Sequence, residues 1–158
     1  MNWWICFSAK ENDNFAKCFR EHPNLGTKLK IGDVNTLDKS GFKAEYPTKI
    51  LTHGFLDDFH GHIRTFKTDF LSVDDFNVIL VDWSKCSLDI RYELAVECSK
   101  KVGSYIGNLI QFLAENANLN LKDVHLIGHS LGAQVMSFVS DALPEKVGRI
   151  SGTYKYTL

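Results

Sequence analysis

The chain has 158 residues, a 44% hydrophobic fraction and a formal net charge of -1. A single domain of this length buries about 70% of its unfolded surface, so a true core is expected. The near-neutral charge argues against nucleic acid as a partner, and no apolar run reaches the roughly 20 residues of a membrane helix, so no transmembrane segment is expected.

The opening MNWWICFSAKENDN lacks the basic n-region and the apolar length of a signal peptide. Residues 3–9 (WWICFSA) and 33–37 (DVNTL) have aromatic and β-branched content at strand length, so both are expected as strands. The stretch between them is rich in turn formers and reads as loop, with room for a short strand. TKILT (48–52) and FNVILVDW (76–83) are near-continuous apolar runs. Such runs suit strands buried on both faces, as in a parallel sheet.

Ile63, Phe66, Phe70 and Leu71 recur at helical spacing, which predicts a crossover helix over 62–72. A longer helix is expected over 89–116, with Leu94, Cys98, Val102, Ile106, Leu109 and Leu113 as its core stripe. NANLNLKD (116–123) turns the chain, VHLIG (124–128) is the next strand, LGAQVMSFVSDAL (131–143) a helix, and KVGRISG (146–152) a further strand. This alternation gives an α/β fold with a mostly parallel central sheet and helices on both faces, edged by antiparallel N-terminal strands.

Four cysteines, Cys6, Cys18, Cys86 and Cys98, form no C-x-x-C pair of the kind zinc uses. They allow three disulfide pairings, and the sequence leaves the choice open. No metal site and no cofactor are expected. The segment DDFHGH (57–62), with two carboxylates and two imidazoles, reads as a solvated loop.

The chemistry centres on Gly128-His129-Ser130-Leu131-Gly132. Three specified residues, each at roughly 7% abundance, would match by chance about 0.05 times in a chain this long. A strand precedes the motif and a helix follows it, the context of a nucleophile elbow. The glycines permit the tight turn, Ser130 is the candidate nucleophile, and the Leu131 N–H at the helix start is the first candidate oxyanion donor. The second is the Phe55 N–H, in the His53-Gly54-Phe55 loop after TKILT.

PTKILTHGF (47–55), FNVILVDWS (76–84), VHLIGHSLGAQ (124–134) and KVGRISG (146–152) together resemble the pancreatic-lipase-like family of animals, its insect lipases and phospholipases A1 above all. The resemblance runs over residues 5–152 and leaves 153–158 as a divergent tail, so residues 1–158 are expected to form one partial domain. It implies an α/β-hydrolase fold and hydrolysis of acyl esters by a serine acyl-enzyme mechanism. The substrate class would be triacylglycerols or phospholipids at a lipid–water interface, in an extracellular, secreted protein. It also implies Ser130 as nucleophile, with Phe55 and Leu131 forming the oxyanion hole.

A serine nucleophile needs a base and an acid that orients it, and in this fold both follow the serine in chain order. The histidines stand at 22, 53, 60, 62, 125 and 129, none of them after Ser130. The family's aspartate lies in a Leu-Asp-Pro-Ala block, where this chain has Thr153-Tyr154-Lys155-Tyr156-Thr157-Leu158. Asp141 lies roughly 16 Å along the helix from Ser130 and cannot serve. The chain is therefore expected to be a C-terminally truncated hydrolase domain, inactive alone. The alternative is a non-catalytic relative that binds lipid or a protein, as the yolk proteins of this family do.

Overall fold

A computed structural model of the chain describes residues 16–19 and 25–153. In chain order the elements are β1 (Ala16–Cys18), β2 (Thr27–Lys28), α1 (Val34–Asp38), β3 (Thr48–Thr52), α2 (Ile63–Val73), β4 (Asn77–Val81), α3 (Ser84–Ser87), α4 (Tyr92–Ala117), β5 (Val124–His129), α5 (Leu131–Ala142) and β6 (Arg149–Thr153). A short 3-10 turn, Leu121–Asp123, leads into β5.

The six strands form one sheet in the order β2-β1-β4-β3-β5-β6. β3 pairs in parallel with both β4 and β5, β5 pairs in parallel with β6, and β1 and β2 add an antiparallel edge. The continuous apolar runs are explained by two cores, one on each face. Ile50, Ile79, Val81 and Leu126 point to the face covered by α4 and α5. Their neighbours Leu51, Val78, Leu80 and Ile127 point to the other face, beneath Ile63, Phe66, Phe70 and Leu71 of α2. The period of two along each strand puts consecutive apolar residues into different cores.

On α4 the expected stripe faces the core: Cys98, Val102, Ile106, Leu109 and Leu113 are buried, and Leu94 is half-buried. The helix ends at Asn118, whose φ of 55° closes it with a left-handed residue.

One sequence expectation needs correction. Residues 33–37 are not a strand: Val34–Asp38 is helical, because the Asp33 side chain accepts from the Asn35 N–H and caps the first turn. The short helix α3 follows β4, and the Ser84 N–H donates to the Asp82 carboxylate at its start. The strand expected at 3–9 lies outside the described residues. Of the three cysteine pairings left open, the structure contains Cys86–Cys98; Cys18 is buried in β1.

Candidate active site

The C-terminal ends of β3, β4 and β5 converge on one edge of the sheet, where ligands bind in open α/β folds. Ser130 sits between β5 and α5 with φ 54° and ψ -123°. A positive φ on a non-glycine residue stores on the order of 1–3 kcal/mol of strain. The surrounding contacts hold it. The Ser130 N–H donates to Thr153 O at 2.8 Å, which ties the turn to β6, and its carbonyl accepts from the Ala133 N–H at 2.9 Å.

The turn and the end of β3 interlock through backbone lacking Cβ atoms. A Cβ on Gly132 would stand 2.5 Å from His53 O and 2.8 Å from Thr52 O, and one on Gly128 would collide with the Gly132 backbone. A Cβ on Gly54 would stand 2.8 Å from both His129 O and Ser130 Cβ, and 3.3 Å from Ser130 Oγ. The structure thus brings the 53–55 loop directly against Ser130. Leu131 is the first residue of α5, and the first N–H groups of a helix have no partner within it.

His53 governs the neighbouring loop. It is fully buried, stacked on Trp83 with ring centroids 5.5 Å apart. Its Nδ1 donates to Gly54 O at 3.1 Å. Nε2 lies 3.0 Å from Asp82 Oδ1 and accepts from the Trp83 N–H at 3.1 Å. The Trp83 indole N–H in turn donates to His53 O at 2.9 Å. Burial acts to raise the Asp82 carboxyl, but its contact with the His53 imidazole and the hydrogen bonds from Ser84 outweigh it and hold the group below the usual carboxylate range.

The peptide plane makes the Gly54 contact consequential. In a trans peptide the carbonyl and the next N–H point in opposite directions. With the Gly54 carbonyl fixed on His53, the Phe55 N–H projects to the other side. The following backbone is fixed as well: the Leu56 N–H donates to Ser87 O, and Ser87 Oγ donates to Asp57 O, both at 2.8 Å. Leu56 itself has φ 52°. The Phe55 ring meets Tyr92 edge-on at 5.0 Å, and Leu56 and Tyr92 are both exposed.

No histidine among the described residues is hydrogen-bonded to Ser130. Both nitrogens of His53 are engaged as above. His125 lies five residues before Ser130 and bonds Ser151 Oγ at 2.9 Å. Burial, with repulsion from Lys49 and Arg149, pushes the His125 pKa down to about 4. The His129 ring turns from Ser130 toward Asp57 and His62.

The sequence reading of 57–62 as a solvated loop holds for His60 and His62, which are exposed, but not for Asp57, which is half-buried. The Asp57, His62 and His129 ligand atoms lie within 4.8 Å of one another. Sequence inspection missed that grouping, because His129 reaches it only through the β3–β5 pairing.

The chain is similar to known proteins over most of its length. The model of the family described as Lipase matches residues 9–154. Pancreatic lipase-related protein 2 of Bos taurus is 35% identical over 140 residues, 88% of this chain and 30% of that protein. Inactive pancreatic lipase-related protein 1 of Mus musculus is 32% identical over 144 residues, covering 90% and 30%. Hepatic triacylglycerol lipase of Homo sapiens is 32% identical over 137 residues, covering 82% and 27%. The chain thus spans about 30% of the length of these relatives.

Among solved structures, esterase PE8 superposes with a TM-score of 0.51 at 19% identity, over 71% of this chain and 60% of that one. The sheet order, the crossover helices and the strand–serine–helix turn are those of an α/β-hydrolase fold. With the family model covering all the described residues, the chain belongs to the Lipase family.

Proposed function

We propose that this chain supplies the nucleophile and oxyanion hole of a serine carboxylic-ester hydrolase acting on glycerolipids. Ser130 attacks the acyl carbonyl, and the Leu131 and Phe55 N–H groups receive the developing negative oxygen. The observation that carries the reading is the strained Ser130 backbone, interlocked with Gly54 at the end of β3. The side chains of Phe55, Leu56 and Tyr92 suit an acyl chain at a lipid–water interface. Triacylglycerols and phospholipids are the substrate classes, by family. The Cys86–Cys98 disulfide fits an extracellular setting.

No histidine of this sequence follows Ser130 and those among the described residues are directed elsewhere, so the proposal is that Ser130 in these 158 residues needs an added base. Loss of the base from a serine hydrolase lowers kcat by about a million-fold. The test is chemical rescue. The protein is incubated with a short-chain nitrophenyl ester, with and without added imidazole, and acylation is followed by intact-protein mass spectrometry. We expect no turnover without imidazole, and with it an acyl adduct on Ser130 that Ser130→Ala abolishes. Adduct formation equal in wild type and Ser130→Ala would refute the nucleophile. Ser130-dependent turnover without imidazole would refute the missing base.

A second reading, a non-catalytic lipid- or protein-binding relative, draws on the similarity to a protein named as an inactive lipase-related protein. It predicts no adduct even with imidazole.

A further inference from the structure

Beside the elbow, Asp57, His62 and His129 form a second constellation. Asp57 Oδ2 is buried and makes no hydrogen bond among the described residues. His62 Nδ1 and His129 Nδ1 each lie 3.9 Å from it. The carboxylate is held in place from behind. Its Oδ1 accepts from the Asp58 N–H at 2.9 Å, and the Asp57 carbonyl accepts from Ser87 Oγ at 2.8 Å. Gly61 leaves room for it, since a Cβ there would collide with the Asp57 carboxylate. The two imidazoles stack with centroids 5.2 Å apart and planes inclined by 25°. Both nitrogens and the buried oxygen therefore converge on one point.

We propose that Asp57, His62 and His129 form a binding site for a divalent transition-metal ion of the zinc class. Two imidazoles and one carboxylate are donors for borderline cations; calcium and magnesium call for oxygen ligands. Ligand atoms about 2.0–2.1 Å from a tetrahedral zinc are about 3.3 Å apart, shorter than the 3.9 Å separations from Asp57 and than the 4.8 Å within which all three ligand atoms lie here. The adjustment falls on His62, whose side chain is 60% exposed and free to turn out of the stack. Solvent supplies the fourth ligand.

The ion would join two segments of the chain, the 53–57 loop and the serine turn. Asp57 follows Phe55 by two residues, and His129 adjoins Ser130. Coordination therefore fixes the distance between the 53–57 loop and the serine turn. The site stands independently of whether Ser130 is a nucleophile.

The experiment is calorimetric titration of Zn2+ into the disulfide-intact protein, carried without a polyhistidine tag. The expected result is one ion per chain with micromolar affinity, a Tm raised by zinc and restored by a chelator, and affinity weakened about tenfold or more in His62→Gln and Asp57→Asn. His60→Gln, outside the cluster, keeps the wild-type affinity. His62 is exposed, so its substitution leaves the fold intact and the test decisive even if Asp57→Asn does not fold. A second readout is Co2+, which gives d–d absorption of a nitrogen–oxygen site. Binding weaker than millimolar, affinity unchanged in His62→Gln, or a cobalt–thiolate charge-transfer band would each overturn the proposal.

Discussion

Gly54 and Ser130 are in direct backbone-to-side-chain contact: a Cβ on Gly54 would stand 2.8 Å from Ser130 Cβ. That contact defines the site more tightly than the Gly-x-Ser-x-Gly pattern does. It joins the loop after β3 to the turn after β5, so the Phe55 and Leu131 N–H groups sit on elements whose separation is fixed. An added methyl can be accommodated only by moving the loop or the serine. Gly54→Ala is therefore expected to destabilise the fold by about 1–3 kcal/mol through overpacking. A displacement near 1 Å at a reacting centre lowers rates by roughly a hundredfold, and imidazole-assisted acylation of Ser130 should fall by that order. Chemical denaturation and adduct mass spectrometry measure the two effects. Unchanged acylation would mean that the contact does not position the site.

His53 acts on the site through the Gly54 carbonyl it holds. His53→Phe keeps the stack on Trp83 and removes the donor to Gly54 O, the contact with Asp82 and the acceptor of the Trp83 N–H. Buried polar groups left unsatisfied each cost about 1–3 kcal/mol, so a loss of that order is expected. The positioning role makes a further, separable prediction: the Phe55 amide, no longer directed by its peptide plane, should exchange faster with solvent deuterium than in wild type. Ser130 acylation should drop roughly tenfold or more, since one oxyanion donor contributes a factor of about 10²–10³. Loss of stability with Phe55 exchange and acylation both unchanged would reduce His53 to a core residue.

Much of this arrangement was legible in the chain. The runs TKILT, NVILV and VHLIG announced strands buried on both faces, and the structure divides their consecutive residues between two cores. The serine turn was readable because its glycines, its preceding strand and its following helix are contiguous. DVNTL was misread because β-branched content was weighed above the Asp33 cap, a local hydrogen bond that decides the matter in favour of helix. The engagement of His53 by Asp82 and Trp83, and the approach of His129 to Asp57, were not legible. Both depend on which strands become neighbours, and adjacent strands β3, β4 and β5 are far apart in sequence.

His125 sets a pH limit on the fold. Its pKa is pushed down to about 4 in the folded protein, against about 6.5 when unfolded. Between these values the unfolded chain binds more protons than the folded one, so stability rises with pH there. The contribution is fully present above about pH 6.5 and is lost progressively as the pH falls toward 4. The ring is partly exposed, so solvent screening reduces the effect to on the order of 1 kcal/mol. His125→Gln, which can still reach Ser151, should flatten the variant's own pH dependence, so that the wild-type-minus-variant difference rises with pH across this window. Denaturation midpoints at pH 7, 5.5 and 4 test it; parallel curves would show that burial, with Lys49 and Arg149 beside it, does not act on the imidazole as argued.

The disulfide bears on the site through Ser87. Cys86 and Cys98 are joined across 12 positions and anchor α3 to α4. Ser87, next to Cys86 and fully buried, holds the 56–57 backbone by two hydrogen bonds. Closing a loop near this length stabilises by about 3 kcal/mol in the chain-entropy account, so the double variant Cys86→Ala/Cys98→Ala should lose stability of that order. Its local effect is more diagnostic. With α3 less constrained, the Leu56 amide, which donates to Ser87 O, should lose exchange protection beyond the global change. Ser87→Ala removes the Asp57 bond alone; it should cost about 1 kcal/mol and loosen the carboxylate between His62 and His129. A disulfide-free variant with undiminished protection at Leu56 would show that the 53–57 loop is held by β3 and Ser130 and owes nothing to α3.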